Sequence, residues 1–337
     1  MDPHPGQEPQ NARRKPQSGG REPPVSREEP QCAGAVLMVR PASFGFNPQT
    51  AASNAFQQPP AAAAEFDQQA SALLEFDAAA KALQRAGVQV LVAADTQDPI
   101  KPDAIFPNNW VSFHLDGTVA LYPMLAPNRR WERREDILQQ VVREGSFHVS
   151  RTIDLTYREA QDKFLEGTGS LVLDRAHRVA YASPSPRTDL DVLGEFAQQL
   201  DYELVTFEAL DASGQPVYHT NVLMAIGAGF AVVCGEAIAQ PERRAAVLSK
   251  LRATGHDIVD ISRRQMLQFG ANLLELAPAA GNIIALSTAA WRSFDAKQLR
   301  ILEAHAGLVP LEIPVIERFG GGGVRCMLAE IHLPKRG

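Results

Sequence analysis

The chain alternates helical and extended patterns in a regular order. Five stretches with apolar residues at helical spacing are each followed by a break and then by a short apolar strand. Gly87, Gly145, Gly255 and Gly307 form four of the breaks, and Asp201 stands at the remaining one. Glycine after a helix readily adopts the left-handed conformation that ends it. The pattern therefore predicts five copies of one helix-and-strand unit.

The five predicted units are similar in length. Their helices and strands are expected at 65–85 and 88–92, 132–144 and 147–149, 189–200 and 202–205, 241–254 and 257–259, and 295–306 and 308–311. Successive breaks lie 58, 56, 54 and 52 residues apart, with further apolar strands at 111–113, 170–173, 222–225 and 283–286. So regular a period indicates repeats too small to bury their apolar faces alone. No glycine-rich phosphate loop follows the first strand at 35–39, so a closed, propeller-like α/β fold is favoured over a doubly wound sheet.

Side chains capable of chemistry recur at a similar offset after each break. The offsets are 22, 21, 18, 17 and 19 residues, for Asn109, Glu166, His219, Asn272 and Cys326 respectively. Equivalent positions in pseudo-symmetric units lie at the same end of the central axis. We therefore expect a thiol, a carboxylate, an imidazole and two amides to meet in one pocket.

Structural explanations exist for the same residues. Glu166 could cap a helix or turn, and His219 could be a hydrogen-bonded core histidine. Asn108 and Asn109 follow a proline, where small polar side chains suit a turn. Cys326 follows four glycines and precedes an apolar segment, so it is either an accessible nucleophile or a buried core residue. The common phase of these positions favours the chemical interpretation.

The other cysteines and histidines do not lie at the recurring offset after a break. Cys32 lies near the N-terminal segment and Cys234 within an apolar strand, so both are expected to be structural. The remaining histidines are expected to be surface or packing residues: His114, His177, His256, His305 and His332.

Composition limits the classes of function. The chain has 337 residues, of which 45% are hydrophobic and 21% charged, ordinary values for a globular protein. A formal charge of −6 gives no basic footprint for nucleic acid or an anionic membrane surface. No apolar stretch is long enough to span a bilayer. Three scattered cysteines fit a reducing compartment, so a cytoplasmic protein is predicted.

The N-terminal segment differs from the rest of the chain. Its first thirty residues hold seven prolines and almost no apolar side chains, which is typical of a disordered tail. We therefore expect a tail at 1–32 and a single catalytic domain at 33–337. The sequence gives no oligomeric state, and a homo-oligomer stays open.

Four motifs together resemble one family of enzymes. They are Phe-Pro-Asn-Asn-Trp at 106–110, Glu-Gly-Thr-Gly-Ser at 166–170, His-Thr-Asn-Val at 219–222, and Gly-Gly-Gly-Gly-Val-Arg-Cys at 320–326. This set resembles the guanidine-modifying, or pentein, superfamily, and is most similar to the arginine-deiminase-related branch described as citrulline-utilisation hydrolases. The resemblance covers residues 33–334. It implies a five-bladed α/β propeller with fivefold pseudosymmetry, in agreement with the repeat.

The resemblance also implies a mechanism without metal or organic cofactor. Cys326 would attack the central carbon of a guanidino or ureido group as a thiolate. His219 would be the general acid for the leaving amine and then the general base for water. Glu166 would bind substrate N–H groups and orient His219. Arg40 is a candidate for the carboxylate of a small amino-acid substrate, as are Arg129 and Arg130.

Two places depart from the arginine deiminase pattern, which has a carboxylate at each of them. These places read Asn108-Asn109 and, after His219, Asn221. A guanidinium cation benefits from paired carboxylates, whereas an amide can donate to the oxygen of a neutral ureido group. We therefore expect citrulline as substrate, with ornithine, carbon dioxide and ammonia as products.

Other functions remain open at this level. An arginine- or methylarginine-type hydrolase is the main alternative, and an amidinotransferase would need an amine acceptor in place of water. A catalytically silent binding protein on the same fold is the alternative outside enzymes, which the presence of Cys326, His219 and Glu166 together disfavours.

Overall fold

The computed structural model describes residues 29–60 and 67–336. Within them, fifteen short strands form five three-stranded sheets. The strands are β1 (Ala35–Arg40), β2 (Gln89–Ala94), β3 (Val111–Phe113), β4 (Thr118–Leu121), β5 (Arg151–Asp154), β6 (Val172–Asp174), β7 (Val179–Ala182), β8 (Glu203–Thr206), β9 (Met224–Ile226), β10 (Phe230–Val233), β11 (Asp257–Asp260), β12 (Leu274–Leu276), β13 (Ile283–Ser287), β14 (Gly307–Leu311) and β15 (Ala329–Glu330).

Helices connect the strands within and between the sheets. They are α1 (Pro48–Ala51), α2 (Gln68–Arg85), α3 (Glu135–Gly145), α4 (Gly167–Ser170), α5 (Leu190–Leu200), α6 (Pro241–Ala253), α7 (Arg263–Met266), α8 (Thr288–Ser293) and α9 (Ala296–His305). None of the helices in the described ranges is long and apolar enough to cross a membrane.

Each sheet has the same topology. Its middle strand pairs antiparallel with one neighbour and parallel with the other, as in β3-β4-β5, β6-β7-β8, β9-β10-β11 and β12-β13-β14. The parallel pair needs a crossover, which a helix of the predicted repeat supplies. The remaining sheet, β15-β1-β2, joins the C-terminal strand to the first strand of the fold. This pairing closes the ring of five sheets.

One strand of each sheet lies towards the centre of the molecule. Strand β15 contacts β3, β6 contacts β9, and β9 contacts β12. These contacts between sheets confirm the predicted five-bladed α/β propeller, with an inner strand in each blade.

Helix ends follow the predicted breaks closely. Helix α5 begins after Asp189, whose side chain accepts from two backbone N–H groups, and ends at Asp201 in the left-handed conformation with φ of 55°. Gly87 and Gly255 adopt φ values of 89° and 84° after α2 and α6. At the second break, however, Gly145 is the last residue of α3, and Ser146 takes the left-handed position with φ of 52°.

The strand predicted at 147–149 is wrong. Phe147 makes only an isolated bridge to Lys335, whose ammonium lies 3.7 Å from the centre of the phenylalanine ring. The strand of this blade is β5, in which Ile153 alone is buried. Because β5 exposes three of its four residues, its sequence carries no apolar run that would identify it.

The N-terminal residues that the structure describes contact the propeller before Ala33. Glu29 is buried and accepts from Arg175 at 3.0 Å and from Arg178 at 2.5 Å. Gln31 donates to the backbone oxygens of Leu173 and Ile226. Among the described residues, contacts with the propeller therefore include Glu29 and Gln31, which lie before Ala33. The rest of the expected tail, 1–28, lies outside the described residues, and the division into tail and single domain stays a prediction.

We predict that Glu29→Gln lowers the free energy of unfolding by about 3 kcal/mol, because it leaves the buried guanidinium of Arg175 without its carboxylate. Urea denaturation measures the change. Glu203→Gln is the matched control, since Glu203 pairs with Lys250 at 2.7 Å but its side chain is 60% exposed. This control should lose less than about 1 kcal/mol. Equal losses in the two variants would contradict the structural role of Glu29.

Candidate active site

Four short turns precede inner strands and lie next to one another. They are the 3₁₀ turns Pro107–Asn109, Thr220–Val222 and Val324–Met327, and the helix α4. The turn at 107–109 contacts both α4 and the turn at 324–327, and α4 contacts the turn at 220–222. All four therefore meet at one end of the propeller axis, and the residues in phase after the five breaks stand in or beside them.

One cavity opens among these turns. Its lining includes Asp103, Asn109, Arg129, Arg187, His219 and Cys326. Of the residues predicted to bind substrate or catalyse, the structure brings Asn109, His219 and Cys326 to the cavity wall. Glu166, Asn221 and Asn272 contact these residues directly.

Cys326 is buried and is held between two amides. The Nδ2 atoms of Asn221 and Asn272 donate to its Sγ at 3.5 and 3.4 Å, and its backbone N–H donates to Gly323 O at 3.1 Å. Burial raises the pKa of the Cys326 thiol, while the two amides and Arg325 oppose that rise. The resting thiol is therefore protonated at neutral pH, and the amides are placed to stabilise a thiolate when one forms.

His219 and Glu166 form a buried pair. The Nε2 atom of His219 lies 2.9 Å from Oε2 of Glu166, which also accepts from Arg187 Nη1 at 3.2 Å. Burial and the nearby arginines lower the pKa of His219 to about 4, although Glu166 opposes the shift. Burial alone would raise the pKa of the Glu166 carboxyl, but Arg187, His219 and Arg129 hold it well below its usual range. At neutral pH, an ionised carboxylate thus faces a neutral imidazole.

Asn109 and Asn108 have different environments. The Oδ1 of Asn109 accepts from Arg129 Nη1 at 3.0 Å, while its buried Nδ2 has no hydrogen-bond partner. Asn108 lies away from the cavity lining, with its Nδ2 3.3 Å from Thr168 Oγ1. Only Asn109 therefore offers a free amide donor to a ligand in the cavity.

The glycine run fits a crowded space beside Cys326. Gly321 has φ of 64°, in the left-handed region, and its oxygen accepts from the Tyr218 hydroxyl at 2.8 Å. A Cβ on Gly322 would lie 2.9 Å from the ring of Phe106 and 3.3 Å from Cys326 Cβ. Side chains at these positions would push into the cavity wall, which explains the need for glycine.

Arg40 is not brought to the cavity. Its guanidinium binds Asp77 through two hydrogen bonds of 2.8 and 2.9 Å, and its side chain is 42% exposed. Of the arginines considered from sequence, Arg129 is the one at the site, where it is buried and binds Glu132 in the same bidentate way. The predicted substrate contact of Arg40 therefore has no support in the geometry.

Two charged residues at the cavity were not identified from the sequence. Asp103 has a buried Oδ1 without a hydrogen-bond partner. Arg187 is anchored by the Ser53 hydroxyl at 2.8 Å and by Thr50 O at 3.2 Å. A signal for Arg187 was present, because it follows Glu166 by 21 residues much as Arg129 follows Asn109 by 20.

The segment at 47–57 was also missed. Asn47 and Thr50 donate to Oδ2 of Asp103 at 2.7 and 3.2 Å, and Asn54 lies at the cavity wall. Its sequence is rich in Asn, Gln, Ser and Thr, a composition that predicts only a loop. In the structure this polar segment contributes Asn54 to the cavity wall and orients two charged groups of the site, Asp103 and Arg187.

A five-bladed α/β propeller with a cysteine, a histidine and an acid near one end of its axis defines the pentein superfamily of guanidine-modifying enzymes. The family model for eukaryotic N,N-dimethylarginine dimethylhydrolase matches residues 40–333. The chain therefore belongs to that family and is a hydrolase acting on carbon–nitrogen bonds other than peptide bonds. The narrower assignment to the citrulline-utilisation branch is not confirmed by this match.

Solved structures show the same fold at low sequence identity. A substrate-bound cysteine-to-serine variant of the N-terminal domain of ArgZ, a cyanobacterial arginine dihydrolase of the ornithine-ammonia cycle, is 17% identical, with a TM-score of 0.68 over 89% of this chain and 99% of that one. A cysteine-to-alanine variant of AgrE with L-arginine is 17% identical, with a TM-score of 0.69, over 90% of this chain and 40% of AgrE.

A third structure is of dimethylarginine dimethylaminohydrolase carrying an adduct with 4-chloro-2-hydroxymethylpyridine. It is 15% identical, with a TM-score of 0.60 over 89% of this chain and all of that one. A comparison with curated proteins found no significant match. The structural likenesses establish the fold, and the substrate has to be argued from the site itself.

We predict that Cys326 in the resting enzyme reacts with iodoacetamide only as pH rises above the ordinary thiol pKa of about 8.5, because burial disfavours the thiolate. Peptide mass spectrometry after timed alkylation follows each cysteine separately, and the urea-unfolded chain provides the reference profile. Rapid alkylation of Cys326 with a midpoint below pH 7 would contradict the protonated resting state.

Proposed function

We propose that the chain hydrolyses citrulline to ornithine, carbon dioxide and ammonia through a covalent adduct on Cys326. The observation that carries this proposal is the buried, unpartnered Nδ2 of Asn109, a residue that lines the cavity together with Cys326 and His219. An amide N–H can donate to the carbonyl oxygen of a ureido group, and it cannot replace a carboxylate opposite a guanidinium. Leaving this donor unpaired costs free energy that a ureido oxygen would recover.

The charges around the cavity do not by themselves select a neutral reacting group. Three buried carboxylates, Asp103, Glu132 and Glu166, lie beside two guanidiniums, Arg129 and Arg187. With all three carboxylates ionised one negative charge is left over, and burial reduces it by raising the pKa of Glu132 to about 7. The arginines are suited to the substrate carboxylate, and the free oxygen of Asp103 is suited to an ammonium or N–H group.

The first half of the proposed reaction forms the adduct. Neutral His219 accepts the thiol proton, and the Cys326 thiolate attacks the ureido carbon to give a tetrahedral intermediate. The proton then passes from His219 to the departing nitrogen, and ammonia leaves. A thiocarbamate remains, in which the carbon is bonded to Sγ, to oxygen and to the ornithine nitrogen.

The second half consumes one water molecule. His219 takes a proton from water, hydroxide attacks the thiocarbamate carbon, and the Cys326 sulfur leaves and is reprotonated. The resulting carbamic acid of ornithine loses carbon dioxide. The sum is citrulline and water converted to ornithine, carbon dioxide and ammonia. Glu166 holds the His219 ring in position for both transfers.

A second candidate is full hydrolysis of arginine, in which the same sequence of steps runs twice. The observation favouring it is the carboxylate of Asp103, whose free oxygen could join Glu166 in binding a guanidinium. ArgZ, on the same fold, is described as an arginine dihydrolase. In this case citrulline would be an intermediate, and both substrates would give ornithine.

We predict that the full chain releases ornithine from citrulline and that Cys326→Ala reduces the rate by at least about 10³-fold, because the covalent step is lost. Citrulline, arginine, methylated arginines and agmatine are compared by ornithine, citrulline and ammonia release. Cys234→Ala is the matched control, since Cys234 is also a buried thiol but lies at the end of β10. It should keep wild-type turnover.

The panel separates the candidates. Ornithine from citrulline alone supports the ureido hydrolase, and ornithine from both citrulline and arginine supports the double hydrolysis. Accumulation of citrulline from arginine or methylated arginines, with no ornithine from citrulline, would contradict the proposal. So would citrulline hydrolysis that survives Cys326→Ala.

We further predict that Asn109→Asp lowers kcat/KM for citrulline relative to arginine by about 10- to 100-fold, because a carboxylate cannot donate to the ureido oxygen and attracts the cation. Steady-state kinetics on both substrates measure the ratio. Asn108→Asp is the control, since Asn108 lies outside the cavity lining. An unchanged ratio in Asn109→Asp, with the variant folded, would remove the basis for the ureido preference.

A further inference from the structure

Three potential metal ligands meet at the end of the propeller opposite Cys326. Asp174, His177 and His256 each offer one ligand atom, and these atoms all lie within 4.8 Å of one another. Strand β6 starts just after the Glu166 turn and ends at Asp174, so the cluster is separated from the active site by the length of a strand. His256 comes directly before β11 in the neighbouring blade.

The carboxylate of Asp174 is incompletely satisfied. Its Oδ1 accepts from His177 Nδ1 at 2.8 Å and from the His177 backbone N–H at 3.2 Å. Its Oδ2 has no hydrogen-bond partner, and the whole residue is buried, with 0% of its surface exposed. A fully buried carboxylate oxygen is costly to leave unpaired, and this one belongs to a carboxylate that lies beside two imidazoles. Such an atom points to a cation as its missing partner.

His256 is oriented by hydrogen bonds to one of its two ring nitrogens. Its buried ring places Nδ1 3.2 Å from Leu251 O and 2.9 Å from the Thr254 hydroxyl. When Nδ1 donates to a backbone carbonyl, Nε2 is left with the lone pair that binds a metal, as is usual for metal-ligating histidine. His177 differs, because it is exposed and leaves a path from solvent for the ion and for a water ligand.

We propose that Asp174, His177 and His256 bind one Zn²⁺ ion and that the ion links two blades of the propeller. Two imidazoles, one carboxylate and a water form a tetrahedral zinc site, with bonds of about 2.0–2.2 Å. Ligand atoms in such a site are roughly 3.3 Å apart, so a small rotation of the exposed His177 side chain completes it. Ca²⁺ and Mg²⁺ are disfavoured because they require mainly oxygen ligands.

The position gives the ion a structural role. Strand β6 contacts β9 at the boundary between the two sheets. Asp174 and His177 belong to the β6–β7 connection, and His256 to the α6–β11 connection of the next sheet. A metal bound to both connections stabilises the folded state by an amount that grows with the logarithm of the free metal concentration, since the unfolded chain does not hold the three ligands together.

The test measures Zn²⁺ binding to the untagged full chain after chelator treatment. Cys326→Ala serves as the background, because the thiol and His219 of the active site are another potential zinc site. Isothermal titration with Zn²⁺ should give one ion per chain, and a thermal scan should show a Tm that rises with Zn²⁺ concentration. Co²⁺ in place of Zn²⁺ should give visible absorption bands of a nitrogen- and oxygen-ligated site.

His177→Gln and His256→Gln are the decisive variants, and each should weaken Zn²⁺ binding at least about tenfold. His177 is exposed, so its replacement is compatible with folding, which circular dichroism checks. His305→Gln is the matched control, since His305 Nε2 also contacts a carboxylate, that of Asp257, at 3.1 Å. Its affinity should be unchanged. Absence of Zn²⁺ binding in the Cys326→Ala background, or a Zn²⁺ affinity in the two folded His variants equal to that of the background protein, would overturn the proposal.

Discussion

The site depends on one buried carboxylate that stays ionised. Glu166 is fully buried, and its pKa is held low by Arg187, by the hydrogen bond from His219 and by Arg129. An unpaired charge at such depth would be strongly destabilising. Its partners come from three consecutive blades, so the charge is stabilised only when these blades pack together. The ionised state of Glu166 therefore depends on the packing of the propeller blades.

The same carboxylate sets the state of the other reactive groups. It fixes the orientation of the His219 ring, which burial keeps neutral, so a proton acceptor is available in the cavity. Cys326 is protonated at rest but lies against two amide donors that can stabilise negative charge. Before substrate binds, the Cys326 thiol is protonated and the His219 imidazole is neutral. Substrate binding therefore has to favour transfer of the proton from the thiol to the imidazole.

Periodicity in the sequence predicted the fold and much of the site. Glu166, His219 and Cys326 each precede an inner strand, and equivalent places in five similar units converge on the axis for geometric reasons. The edge strand at 151–154 was not predictable in this way, since its exposed residues carry no apolar pattern. The predicted substrate contact of Arg40 has no support for a related reason. An arginine after a strand can pair with a surface acid, here Asp77, and the sequence does not indicate which acid it will meet.

Apart from Arg187, the residues that sequence reasoning missed belong to no repeat. The segment at 47–57 lies between β1 and α2, and its amides and hydroxyls act by holding Asp103 and Arg187. Such supporting contacts have no fixed spacing from the blade motifs, so only the three-dimensional structure reveals them. His256 is likewise far in sequence from Asp174 and His177, and the three meet only because adjacent blades pack together.

The central claim is that carbon–nitrogen hydrolysis proceeds through a covalent bond to Cys326. Rapid acid quenching during citrulline turnover, followed by peptide mass spectrometry, tests this claim most directly. The account predicts that the peptide containing Cys326 transiently gains the mass of citrulline less ammonia, while the peptides of Cys32 and Cys234 stay unmodified. Ornithine formation in a single turnover with Cys326 unmodified at every time point would contradict it.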